Sequence, residues 1–501
     1  MTTQPQDSAT PTSPRTEHLD VLIIGAGISG IGSAYHLQQQ HPGRRFAVLE
    51  RNAGHGGTWW THRYPGARSD SDLFTYGYRF KPWRGAAIAS ADEIRKYLTD
   101  VIDENGLDRH IRYQQEMTAA NWSSQDQQWT VTVQQLDSGA THTITTQFLW
   151  LCQGYYDHDK PFMPRWEGMD DFAGQVIHPQ QWPQDLDYRD KRVVVIGSGA
   201  TAATLIPAMA PDAACVTMLQ RSPTFFLSRP RSHPLEQPLR ELDIPDEWTH
   251  EILRRAHIAQ STKVAHMGTE DPDALRTRLL DDIRTRLPEG FDVEKHFNPG
   301  YRPWQQRIAV VPDGDMFEAI KNGKASVVTD EIDHLDAHGI VLKSGERLAA
   351  DIIVSATGFN LKLFDDVPFT VDGELVDFSQ RVPYRGVMIN GLPNMAYVMG
   401  YFRFGWTLRV ELVSDWVCRM LSHLDASGHR SVTATLRPQD ADMPFLPWCD
   451  AGNFNPGYIA RSQHVMHRSG DREPWTHLHD YDHDRDTLPQ TSLQEDVLIY
   501  R

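Results

Sequence analysis

The sequence predicts an α/β protein built on two dinucleotide-binding, Rossmann-like units, the first discontinuous and the second inserted into it with a helical subdomain. Three stretches predict this: DVLIIGAGISG (Asp20 to Gly30), RVVVIGSGATA (Arg192 to Ala202) and GIVLKSGERLAADIIVSATGFN (339–360). The first two read as strand, tight glycine turn and helix. The third reads as a hairpin followed by a buried strand.

In the first unit a β-branched run ends in three glycines and opens into the helical pattern IGSAYHLQQQ. Gly25 permits the turn, Gly27 lets the backbone approach a pyrophosphate, and Gly30 lets helix pack on strand. The helix N-terminus adds partial positive charge. The next strand, RRFAVLE, ends at Glu50, whose carboxylate can accept hydrogen bonds from the ribose hydroxyls of an adenosine. The other reading of Glu50 is a solvated strand end.

The second unit repeats the pattern, with Gly197, Ser198, Gly199 and Thr201 in the turn and Ala202 in the third glycine's place. Its second strand, CVTMLQRSPTF, carries Gln220 where the first unit has Glu50, followed by Arg221 and Ser222. Loss of the acid and gain of a guanidinium suit a 2′-phosphate. A surface ion pair is the other reading of Arg221. Together the two units predict FAD in the first, NADPH in the second, and hydride transfer between them.

The third stretch turns at Ser344-Gly345 and ends in Ala356-Thr357-Gly358, resembling the strand-turn by which many two-dinucleotide flavoproteins return the chain to the FAD domain. The expected organisation is a disordered tail over 1–18, an FAD domain over 19–155 and 330–450, an NADP domain over 156–329 and a C-terminal segment over 451–501. Within the insertion, 233–300 reads as a helical subdomain, from apolar residues at three- and four-residue spacing. It either shapes the cleft or is a surface insertion.

A chain of 501 residues exceeds the size at which single cores stop growing. Its 49 basic and 66 acidic residues give a net charge of -17, which disfavours nucleic acid and anionic lipid as partners. Cys152, Cys215, Cys418 and Cys449 lie far apart without a CxxC pair, so neither a disulfide framework nor a metal site is expected. A reduced, cytoplasmic setting fits that usage. The first residues lack the apolar core of a signal peptide, and the longest uncharged run, Val21 to His41, is interrupted by glycines, so no membrane span is expected. The stretch THLHDYDHDRD (Thr476 to Asp486) reads as a solvated terminal segment rather than a metal site.

Two longer motifs carry a family resemblance. GGTWWTHRYPGARSD (Gly56 to Asp70) and FAGQVIHPQQWP (Phe172 to Pro183) resemble the paired fingerprints of class B flavoprotein monooxygenases, type I Baeyer–Villiger monooxygenases in particular. Trp182-Pro183 favours that branch over ordinary flavin-containing monooxygenases. RYPGARSDSDLFTYGYRFKPW, PWQQRIAVVPDGDMF and ADIIVSATGFNLKLF look most like the bacterial group that includes the mycobacterial thioamide-activating monooxygenase.

The resemblance implies an NADPH- and O2-dependent FAD monooxygenase that inserts oxygen next to a ketone carbonyl through a C4a-peroxyflavin, giving an ester or lactone, with possible sulfoxidation. The alternative is N- or S-oxygenation as the main activity. The expected substrate is a small-molecule ketone or sulfide. Asp70 and Arg307 resemble the catalytic pair beside the flavin: Arg307 holds the developing negative charge and Asp70 fixes its position. Gly57, Thr58 and Trp59 are implied to lie against the flavin. Tyr76, the backbone of Met117 and Trp406 resemble further FAD-contacting positions, with core packing the other reading of Tyr76 and Met117. His178, with no acid or thiol nearby in sequence, is expected at a hinge or domain contact.

Overall fold

The computed structural model of the chain describes residues 17–501, so most of the expected tail lies outside the described residues. Glu17 and His18, placed in that tail by sequence, instead begin the first strand, where they pair with Ile144 and Thr145.

The first sheet has nine strands. Its parallel core sets Glu17–Ile24 between Phe46–Leu49 and Thr141–Leu151. Apolar side chains on both faces make Val21–Ile24 a central strand. Val21 and Ile23 join the cluster that includes helix Ile28–Gln40, while Leu22 and Ile24 face the cluster of Leu149, Met395 and Tyr397. Beyond Thr141–Leu151 the sheet turns antiparallel through Gln128–Gln135 and Gln115–Ser123. The later chain returns to it twice, Phe369–Val371 pairing with Gln115–Ser123 and Met395–Tyr397 with Thr141–Leu151.

The second sheet is wholly parallel, in the order Ala325–Thr329, Cys215–Gln220, Arg192–Ile196, Ile352–Ser355, Gln175–Ile177. This corrects the boundary expected at 330. Ile352–Ser355 is buried on both faces between Arg192–Ile196 and Gln175–Ile177. The hairpin before it turns where expected, and Leu335, Ile340 and Leu342 pack on Val194, Ile196 and Leu219. The chain re-enters the first sheet only at Phe369, because the strand that ends in Ala356-Thr357-Gly358 completes the second.

Helices Glu236–Glu241, Asp246–Glu270, Pro272–Arg286 and Val293–Phe297 occupy the stretch expected to be helical. Arg254 anchors them to the first unit. Buried, it donates to the carbonyls of Phe74 (2.8 Å) and Gly77 (3.0 Å) and to Glu411 Oε2 (2.7 Å).

The two connections between the units run side by side. Tyr156 and Leu361 form an antiparallel bridge, and the amides of Asp157 and Lys362 donate to the carbonyls of Asn360 (2.9 Å) and Tyr155 (3.0 Å). FAGQVIHPQQWP clasps both. Gln180 Nε2 donates to Asp157 O (3.0 Å), and His178 Nε2 lies 3.2 Å from Gly358 O. His178 Nδ1 accepts from the amide of Gln180, so the proton on Nε2 is the one offered to Gly358.

The His- and Asp-rich stretch is only partly solvated: Leu478, Asp480, Arg485 and Asp486 are exposed, but His477 and Asp484 are buried. His477 is buried and stacks on His479 with centroids 3.8 Å apart. Asp484 accepts from Arg409, a guanidinium with no solvent exposure, at 2.5 Å and from Tyr401 at 2.7 Å. A buried cation on helix Trp406–Ser427 needs an anion, and the terminal segment supplies it. Strand Leu498–Tyr500 then closes back onto Val432–Ala434.

Candidate functional site

A cavity of about 510 Å³ joins the first glycine turn to the second. Gly25, at φ +97°, cannot be replaced without strain, and a Cβ on Gly30 would stand 1.8 Å from the carbonyl oxygen of Gly25. Helix and turn therefore close together as the sequence requires. The Cα atoms of Gly27 and Gly57 face each other across the cavity wall, so the backbone there is bare.

Glu50 lines this end and is 3% exposed. Its Oε2 accepts from the amide of Ala26 (2.8 Å), and its Oε1 accepts from the amide (2.8 Å) and Nδ2 (2.7 Å) of Asn52. Burial pushes its carboxyl up, and these donors pull against that. The carboxylate thus stabilises the turn itself, with lone pairs left over for ribose hydroxyls.

Thr58, Trp59, Tyr76, Met117 and Trp406 line the same cavity. Trp59 Nε1 donates to Tyr76 Oη (2.8 Å), and Trp406 Nε1 to Ser29 Oγ (2.8 Å) at the start of the first helix. Met117 sits where the register between its strand and Gln128–Gln135 shifts, which leaves its backbone out of a regular ladder.

Gly197, Ser198, Gly199 and Thr201 line the other end, while Ala202 is buried behind the turn and Gly30 behind the first. Arg221 and Ser222 are solvent-exposed and do not line the cavity. Ser198 Oγ nevertheless lies 3.4 Å from Ser222 O, which sets the pair beside the turn. Arg189 and Arg192 are held in ion pairs; Arg221 is in none among the described residues. Gln220, at the Glu50 position, turns inward to His296 O (2.6 Å) and Thr329 Oγ1 (2.9 Å) and leaves recognition to its neighbours.

Arg307 and Asp70 meet in the wall of the same cavity. Arg307 Nη1 lies 3.7 Å from Asp70 Oδ2, close enough for attraction and too long for a strong hydrogen bond. Arg307 Nε donates to Tyr458 Oη at 3.0 Å. Burial opposes the guanidinium's charge, but Tyr458, Tyr155, Tyr156 and Asp70 outweigh it and hold the pKa above its ordinary range. Of its five donors, one is committed to Tyr458 and one side is turned to Asp70, so the rest can meet an oxyanion.

Sequence reasoning missed the three tyrosines. Tyr155 and Tyr156 follow strand Thr141–Leu151 directly, at the C-terminal strand edge where α/β sheets bind ligands, and that position was the available signal. Tyr458 comes from the C-terminal segment, and no local pattern marks it.

No helix of the described residues is long and apolar enough to cross a membrane, and among them no group of three or more His, Cys, Asp or Glu is placed to hold a metal.

Comparison with known proteins places the chain in a family. Residues 23–84 match the NAD(P)-binding Rossmann-like domain family, and residues 87–238 match the Flavin-binding monooxygenase-like family. The chain is 45% identical over 487 residues to the FAD-containing monooxygenase EthA of Mycolicibacterium smegmatis, covering 97% of each protein. It is 42% identical over 492 residues to the putative FAD-containing monooxygenase MymA of Mycobacterium tuberculosis, covering 97% of this chain and 98% of that protein. Two solved structures share its fold. An oxidized steroid monooxygenase bound to NADP superposes with a TM-score of 0.75 at 22% identity, over 96% of this chain and 99% of that one. An open form of cyclohexanone monooxygenase does so with a TM-score of 0.73 at 19% identity, over 97% and 100%. With near-complete coverage at such identity, and with both glycine turns opening onto one cavity, the chain belongs to the class B flavin monooxygenases, among the FAD-containing monooxygenases.

Proposed function

We propose that this chain is an NADPH- and O2-dependent FAD monooxygenase whose main reaction inserts oxygen beside a ketone carbonyl, giving an ester or lactone, with sulfoxidation as a side reaction. The observation that carries this reading is Arg307, held by Tyr458 and faced by Asp70 inside the cavity that joins the two glycine turns. The names of the structural neighbours, which include NADP and cyclohexanone, point the same way.

The residues fit both nucleotides. Gly25, Gly27 and Glu50 suit the FAD pyrophosphate and ribose, and Gly57, Thr58 and Trp59 the flavin; the turn at Gly197–Thr201 with Arg221 and Ser222 suits NADPH. Reduced FAD supplies the activation of oxygen. The chain's own part is electrostatic and positional. Arg307 presents fixed positive charge where an oxygen becomes negative during attack on a carbonyl, and a preorganised donor in a dry site needs no rearrangement to do so. Asp70 and Tyr458 set its direction. The clasp formed by His178 and Gln180 ties the two connections together, so that movement of one unit is passed to the other.

Heteroatom oxygenation is the second reading, because the relatives at 42–45% identity carry no ketone in their names. Turnover of cyclohexanone and thioanisole with NADPH under 18O2 separates the two. Labelled lactone is expected. Sulfoxide alone would establish the second reading, and hydrogen peroxide as the sole product would sink both.

A further inference from the structure

A second, smaller cavity of about 50 Å³ adjoins the first and shares Asp70 and Arg307 with it. It adds two cations, Arg229 and Arg403, and one further acid, Asp72. Three guanidiniums against two carboxylates make it a locally positive pocket in a chain of net charge -17.

The two added arginines differ. Arg403 is held through one nitrogen: its Nη2 lies 3.3 Å from Trp304 O, 3.0 Å from Asn453 O and 2.7 Å from Asn453 Oδ1, while its Nε has no partner. Arg229, the last residue of strand Phe226–Arg229, has no side-chain hydrogen bond and no ion pair among the described residues, and its Nε is shielded from solvent without a partner. The nearby acids are occupied. Asp70 lies against Arg307, while Asp72 accepts from the amide (2.8 Å) and hydroxyl (2.9 Å) of Thr75 and stands 3.6 Å from His257 Nδ1. Burial lowers the pKa of Arg229, with Asp72 and Asp70 opposing, yet a guanidinium stays charged at any working pH. A shielded charge without a counter-ion is unfavourable, and a planar fork is the shape that a carboxylate satisfies with two parallel bonds.

We propose that Arg229 binds a carboxylate carried by the substrate itself, so that this enzyme selects short ketones or thioethers bearing an acid group a few bonds from the oxygenated atom. The inference rests on the monooxygenase reading above. The spacing follows from size: the cavity holds a few waters or one small polar group, and it is bounded by Arg307 itself. The reaction is unchanged in balance. One atom of O2 enters the substrate and the other leaves as water, with NADPH and a proton supplying the two electrons and two protons. Arg229 is a specificity residue that takes no part in electron transfer.

The test uses FAD-loaded full-length enzyme and two matched pairs: levulinate with its methyl ester, and 3-(methylthio)propionate with its methyl ester. Binding is read without NADPH from the change in flavin absorbance, and turnover from product formed. Each acid is expected to bind and turn over at least tenfold better than its ester. Arg229→Gln should bring that ratio near one, a loss of about 10- to 100-fold for a charge-assisted contact, and Arg229→Lys should restore part of it. Equal binding of acid and ester to the native enzyme would overturn the proposal. So would a change in Arg229→Gln that raises KM for NADPH instead of altering the ratio, since that assigns the arginine to the nucleotide. If the acids bind preferentially but none of the four probes is oxygenated, the carboxylate site stands and the monooxygenase reading falls.

Discussion

Breaking the pair Arg68–Asp315 should loosen the loop that carries Asp70. Arg68 reaches from the first fingerprint to the second unit: Nη1 lies 2.5 Å from Asp315 Oδ2, Nη2 3.1 Å from Asp315 Oδ1, and Nη2 also 3.3 Å from Ala203 O. The loop beneath it is docked tightly, since a Cβ on Gly66 would stand 2.6 Å from both Thr204 O and Ala208 Cβ. The two side chains are 12% and 23% exposed, so the bidentate pair is shielded but not dry. Charge-assisted bonds contribute about 1.5–3 kcal/mol each when buried, and partial access of water brings the expected coupling to roughly 2 kcal/mol. That is about 30-fold in the opening equilibrium of the loop. Hydrogen exchange at the amides of Ala67 and Ser69, bonded to Tyr64 O and Ala89 O, reads that opening directly. A double-mutant cycle with Arg68→Met and Asp315→Asn removes the separate effect of Asp315 on its own helix. Additive single effects, or a coupling under about threefold, would refute the clasp.

Glu50→Gln should weaken FAD binding by about 10- to 100-fold, because its new NH2 faces one of the N–H donors and leaves a buried group unpaired. Equilibrium dialysis checks it, and unchanged affinity would contradict it. Arg221→Ala should raise KM for NADPH far more than KM for NADH; equal effects would argue against a 2′-phosphate contact. His178 is 4% exposed, and burial lowers its pKa from 6.5 to about 4. Above pH 6.5 it is neutral whether folded or unfolded. As pH falls from 6.5 towards 4 the unfolded chain takes up the proton first, so stability is lost across that window, by about 3 kcal/mol at its full extent. His178→Gln should therefore lose less stability than the native chain between pH 7 and 4.5, as measured by denaturant midpoints. Parallel losses would show that His178 is not the titrating group.

What the sequence made legible follows from how local each signal is. The glycine turns, Glu50, Trp59 and Asp70 were readable because each sits in a run whose spacing encodes one turn or one fingerprint, whereas Arg307, an isolated arginine after two glutamines, came from the family resemblance alone; all of them line one cavity. The partner of strand Ile352–Ser355 was not. A continuous apolar strand fits the centre of either sheet equally well, and only tertiary pairing with Val193–Val195 decides. The burial of His477 and Asp484 within THLHDYDHDRD was hidden for a related reason: the composition of the stretch is polar, and the buried Arg409 that accounts for Asp484 lies 75 residues away. Arg229 is in the same class, since an arginine's missing partner cannot be seen until the neighbouring carboxylates are found to be occupied.

The measurement that bears most directly on the central claim is oxygenated product formed per NADPH oxidised by Arg307→Ala. Flavin reduction by NADPH should stay within several-fold of the native rate, while product per NADPH falls at least about 100-fold and hydrogen peroxide rises to match the NADPH consumed. Ester or lactone formation that survives the substitution unimpaired would contradict the account.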